Sequence, residues 1–116
     1  MLGEETVMWL YERIGKEIKH FREQLNLTQS DLAERIGVTR TSISNLESGR
    51  QRVPIDTLFA ICEVLRIEPR DILPTIEEAR KMQRGFNVDE IKENFDTQSA
   101  DWILKLIGDP TKERQE

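Results

Sequence analysis

The 116-residue sequence predicts an all-α protein, with five helices over residues 1–74 and a helical extension over 75–116. Three observations carry this expectation. Apolar residues recur at three- and four-residue spacing, the repeat of an amphipathic helix. Thr28 and Thr75 each stand three residues before an acid where such a repeat begins, as helix caps do. Glycines then close several of the repeats, where a left-handed residue ends a helix at little steric cost.

Val7, Leu10, Tyr11, Ile14, Ile18, Phe21 and Leu25 share one face of a long first helix that begins at about Glu4 to Thr6. Thr28 and Asp31 then form a T-x-x-D arrangement. The threonine oxygen caps free N–H groups, and the acid sits at the positive end of the helix dipole. A second helix therefore starts at about Gln29. Leu27 and Leu32 have the spacing of a hydrophobic staple, Leu32 and Ile36 continue the apolar face, and Gly37 ends the helix. The signals repeat at once: Thr39 is the next cap, Val38 and Ile43 the next staple, and Leu46 continues the inward face before Gly49. Two short helices thus flank a turn of about three residues, the geometry of a helix-turn-helix. Ala33 suits it, because helices joined by so short a turn leave little room for a side chain between them.

Pro54 opens a fourth helix with Leu58, Ile61, Cys62 and Leu65 on one face, and EPRDILP forms a short fifth element. Cys62, the single cysteine, is expected to be a small buried packing residue. In the extension, Thr75 and Glu78 make another capping box and Gly85 is expected to end a short charged helix. Asn87 and Glu90 then start a second tail helix, with an interruption allowed for near Thr97 and an expected finish at Gly108 and Pro110. Trp102 to Ile107 is strongly apolar and must pack on something. Phe95, Trp102 and Leu106 are assigned to a homodimer contact, with docking on the chain's own helices as the alternative.

At 100° per residue, Ser42, Ile43, Leu46 and Glu47 of the third helix turn inward, while Arg40, Thr41, Ser44, Asn45 and Ser48 share the opposite face. That face is polar, short-chained and nearly free of acids. Arginine pairs bidentately with guanine and asparagine with adenine, and a threonine methyl can touch that of thymine, so this face suits a major groove.

The chain strongly resembles the phage-repressor-like (Xre/Cro-type) helix-turn-helix family, with Gln29, Ala33, Gly37, Val38, Ile43 and Leu46 where the family pattern wants them. The resemblance runs from about Ile14 to Leu73. It implies a five-helix lambda-repressor-like domain that binds double-stranded DNA. It places Gln29 against phosphate and a base edge, Arg40, Thr41 and Asn45 as base readers with Ser44 as an accessory, and Arg50 and Arg52 on phosphate. It also implies a structural ion pair between Arg22 and Glu47.

Overall charge by itself argues against a nucleic acid, with 17 Lys plus Arg against 22 Asp plus Glu and a formal charge of −5. Its distribution resolves the conflict. Glu4, Glu5 and Glu12 make the start acidic, and residues 74–116 carry seven basic against ten acidic side chains, whereas Gly37 to Ile55 holds three arginines and one acid, Glu47. The acidic flanks should weaken non-specific binding and leave the protein reliant on sequence.

The acidic MLGEE start lacks the features of a signal peptide and no apolar run approaches about 20 residues, so a cytoplasmic protein without a membrane partner is expected, nucleoid-associated when on DNA. His20, the one histidine, has no metal partners and reads as a surface residue or DNA-facing accessory. No metal or other cofactor is expected. Ser42 and Ser44 lack an activating base and there is no glycine-rich phosphate loop, so no enzyme is expected. The expected function is a sequence-specific transcriptional regulator, a dimeric repressor of a palindromic operator. The alternative is an antitoxin-like module that binds a partner protein and autoregulates.

Overall fold

The computed structural model describes residues 2–94, with side chains through Gly85. Six helices follow one another: α1 (Glu4–Gln24), α2 (Gln29–Ile36), α3 (Arg40–Glu47), α4 (Ile55–Leu65), α5 (Pro69–Ile72) and α6 (Ile76–Asn94). Among the described residues, Val7–Pro74 form one unit, and residues 2–6 group with residues 75–94 as another.

In the first unit, α2 packs on α3 and α4, and α4 on α5. Ile14 and Ile18 of α1 join Leu32, Ala33, Ile43, Leu46, Leu58, Ile61, Cys62, Leu65 and Ile72 in one buried cluster. Every helix of the unit thus contributes its apolar face to a common core, the pattern that makes short helices stable only together. Cys62 is a packing residue there, and burial pushes its thiol pKa up, away from the reactive thiolate.

The caps explain where the elements begin and end. Thr28 Oγ1 accepts from the Asp31 N–H at 3.0 Å while Asp31 Oδ2 accepts from the Thr28 N–H at 2.8 Å. These bonds hold the Asp31 carboxyl below its usual pKa. Gly37 takes the left-handed conformation at φ 76°, and Thr39 Oγ1 receives the Ser42 N–H at 3.1 Å to start α3. Only Gly37, Val38 and Thr39 separate the two helices.

Two expectations need correcting. Leu25 does not continue the apolar face of α1: the helix stops at Gln24, Asn26 turns the chain at φ 56°, and Leu25 is exposed. Asparagine tolerates that conformation, so the turn needs no glycine. Gly85 likewise does not end a helix, and Asn87 does not begin a new one, because α6 runs unbroken from Ile76 to Asn94. A helical glycine costs about 1 kcal/mol relative to alanine, too little to stop a helix whose flanking residues favour it. The proposed break near Thr97 and the end at Gly108 lie outside the described residues.

In the second unit, Thr75 caps α6 by accepting the Glu78 N–H at 3.1 Å. Gln83 Oε1 receives both the Gly3 N–H at 2.9 Å and the Thr6 hydroxyl at 2.6 Å, which ties the start of α1 to α6.

Candidate nucleic-acid interface

The amphipathic reading of α3 turns Ser42, Ile43, Leu46 and Glu47 inward; the structure buries Ile43, Leu46 and Glu47 and leaves Ser42 half-buried. Of the opposite face, Arg40, Thr41 and Ser48 are exposed, while Ser44 and Asn45 are half-buried. The short polar side chains therefore form a shallow surface with Arg40 projecting from its first turn. Gln29, at the first turn of α2, lines one open depression with Arg40, Asn26, Thr28 and Ser30. The starts of the two helices of the motif thus meet at one surface.

Beneath this surface lies a buried charge network. Arg22 Nε donates to Glu47 Oε2 at 2.7 Å and Nη2 to Glu47 Oε1 at 2.9 Å, a two-pronged pair with side chains only 9% and 4% exposed. Nη1 donates to the Leu27 carbonyl at 2.7 Å. One guanidinium therefore ties the end of α1 to the approach to α2 and to the last residue of α3. The hydrogen bonds to Glu47 raise the Arg22 pKa further, against the opposing effect of burial. Glu47 Oε1 also accepts from Gln29 Nε2 at 3.1 Å. Resemblance alone points Gln29 at DNA; here its amide is engaged with protein.

The loop after α3 is held just as closely. The Asn45 carbonyl accepts the N–H groups of Arg50 at 3.0 Å and Gln51 at 3.2 Å, and the Ser48 hydroxyl at 3.2 Å. Arg50 and Arg52 are exposed, but the Arg52 guanidinium lies 5.4 Å from the centre of the Tyr11 ring, in cation–π range. Gly49, at φ 78°, passes so near α1 that a Cβ there would sit 2.8 Å from Glu12 Cγ.

Sequence reasoning missed Gly15. A Cβ at this buried position in α1 would collide with the carbonyl oxygens of Leu46 and Glu47. The absent side chain lets α1 touch the C-terminal end of α3, so it helps fix the angle of the whole candidate reading helix. The available signal was a glycine inside a strongly periodic helix, which costs stability unless something approaches closely. The Gln29–Glu47 contact and the Tyr11 ring beneath Arg52 were also missed, because pairs 18 and 41 positions apart leave no local pattern.

His20 is exposed on α1, edge-on to Phe21. Among the described residues, no cluster of histidine, cysteine or carboxylate could hold a metal ion. No described helix is long and apolar enough to cross a membrane. Phe95, Trp102 and Leu106 lie outside the described residues.

Comparison with known proteins agrees with this geometry. A family model described as helix-turn-helix matches residues 18–72. The chain is 38% identical over 61 residues to an uncharacterized HTH-type transcriptional regulator from Archaeoglobus fulgidus, covering 53% of this chain and 86% of the relative. It is 35% identical over 60 residues to the antitoxin PezA of Streptococcus pneumoniae serotype 4, covering 52% of this chain but only 38% of the antitoxin. Among solved structures, it resembles the clp gene regulator ClgR from C. glutamicum, with 32% identity, a TM-score of 0.53, and 54% and 82% of the two chains covered. It also resembles the restriction-modification controller protein C.AhdI from Aeromonas hydrophila, at 25% identity and a TM-score of 0.53, with 54% and 96% covered. The chain belongs to the phage-repressor-like (Xre/Cro-type) family of helix-turn-helix transcriptional regulators.

Proposed function

We propose that the protein binds double-stranded DNA sequence-specifically as a twofold dimer on an inverted repeat, and represses transcription by occupying promoter DNA. The observation that carries this reading is the outer face of α3, polar and acid-free, in a chain that is acidic overall. Arg40, Thr41 and Asn45 read base edges in the major groove, Ser44 assists, and Gln29 touches DNA at the start of α2. Arg50 and Arg52 neutralise phosphates beside them. Residues 1–74 form the DNA-binding domain and 75–116 the dimerising extension, to which Phe95, Trp102 and Leu106 contribute. The protein acts in the cytoplasm, on the nucleoid, and has no catalytic role.

Selection of bound duplexes from a random pool, followed by footprinting, tests the reading. We expect an enriched inverted repeat whose half-sites lie about 34 to 36 Å apart, one turn of DNA. A pool that shows no enrichment after repeated selection contradicts it. The similarity to an antitoxin supports a second reading, in which the extension captures a partner protein and DNA binding is autoregulatory. A stable complex with a co-encoded protein, together with weak operator binding by the isolated chain, favours that alternative.

A further inference from the structure

Glu47 does more than neutralise Arg22. Its Oε1 accepts from Arg22 Nη2 and from Gln29 Nε2, at 2.9 and 3.1 Å, while Oε2 is occupied by Arg22 Nε. A carboxylate can only accept, so the Gln29 amide must turn its nitrogen toward Glu47. The carboxylate cannot swing away to relax that requirement, because a planar guanidinium grips both its oxygens in the protein interior. Gln29 itself is half-buried on the depression that it shares with Arg40.

We propose that Glu47 is a positioning residue for DNA recognition: it holds the Gln29 amide in one orientation before DNA arrives, leaving the second N–H and the carbonyl oxygen for the ligand. The inference rests on the proposed DNA-binding function and deepens it. A free glutamine loses rotamer freedom when it is immobilised at an interface, and a glutamine already tied down does not. The preset amide should therefore raise affinity by up to about tenfold, the range expected for one immobilised side chain. It also fixes which hydrogen-bonding pattern is presented, and with it the preference at the position Gln29 touches.

Two experiments test this. In the free protein, NMR of the Gln29 side-chain amide should show hydrogens protected from exchange and close to Glu47; an amide that averages like those of exposed glutamines overturns the proposal, with no mutation or DNA required. Affinities for the selected site should then be measured for wild type, Gln29→Ala, Glu47→Gln and the double variant, below the lowest melting temperature of the four. Part of the loss caused by Glu47→Gln should disappear in the Gln29→Ala background, by a factor of about five to ten. A purely structural Glu47 would lower affinity by the same factor in both backgrounds, and that result overturns the proposal. If wild type selects no DNA at all, the functional reading fails while the NMR result still decides the state of Gln29.

Discussion

Arg22 supports the proposed reading surface from within the protein. It is buried near the end of α1, all three of its nitrogen positions are engaged, and its partners are the residue before the α2 cap and the last residue of α3. Removing one partner of a buried pair typically costs about 3 to 5 kcal/mol, because the other charge is left without compensation. Arg22→Ala and Glu47→Ala should each lower the melting temperature, and their effects should be strongly non-additive in a double-mutant cycle. Additive losses would remove the pair from the account. Arg50 and Arg52 belong to a different case, since both are exposed and one is steadied by the Tyr11 ring. Replacing either by alanine should weaken binding to all duplexes and flatten the salt dependence by about 0.9 log units per log of salt, one phosphate's worth. A loss confined to one DNA sequence, with the slope unchanged, would assign that arginine to base reading instead.

At the scale of elements, two glycines separate two reasons for using the residue. Gly37 needs its left-handed φ of 76° but has open space where a Cβ would stand, whereas Gly15 sits in ordinary helix against the α3 carbonyls. Gly37→Ala should cost only the conformational penalty, about 1 to 2 kcal/mol. Gly15→Ala must move backbone and should cost more, weakening specific DNA binding as well because α3 is displaced. Thermal melts of the two variants decide the order; a Gly15→Ala variant as stable as wild type would contradict the packing described. These glycines also show what was legible in advance. Gly37 announced itself because a cap and a staple follow at once, all within local reach. Gly15 carried no such context, and only the fold brings Leu46 and Glu47 to it. Gly85 shows the opposite failure: read as a stop, it is spanned by α6, since a glycine weakens a helix without forbidding it. The inward and outward faces of α3 were readable because helical geometry alone sorts them, while the tie between Gln29 and Glu47 depends on how two helices cross.

For the whole molecule, one short helix can read only a few base pairs, which is the physical reason for the proposed twofold dimer. The contributors proposed for that dimer are Phe95, Trp102 and Leu106. Charged replacements at Trp102 and Leu106 should lower the molecular mass in solution and weaken binding to a full operator more than to a half-site. Sedimentation that finds wild type monomeric at micromolar concentration, or the charged variant still dimeric, removes the extension from that role. The charge distribution adds a molecular-scale expectation: because acidic segments flank a locally basic stretch in the sequence, non-specific affinity should be weak and the ratio of specific to non-specific binding correspondingly large.

That ratio is the quantity that tests the central claim most directly, since it isolates base reading by the outer face of α3 from general attraction to phosphate. Affinities for the selected operator and for a scrambled duplex of equal length should be measured at one salt concentration, for wild type and for Arg40→Ala and Asn45→Ala. Each lost base contact should cost about 1 to 3 kcal/mol on the operator and little on the scrambled duplex, with the melting temperature unchanged and base preference relaxed at one position in each half-site. If both variants remain folded and keep the wild-type ratio and base preferences, α3 is not the reading surface.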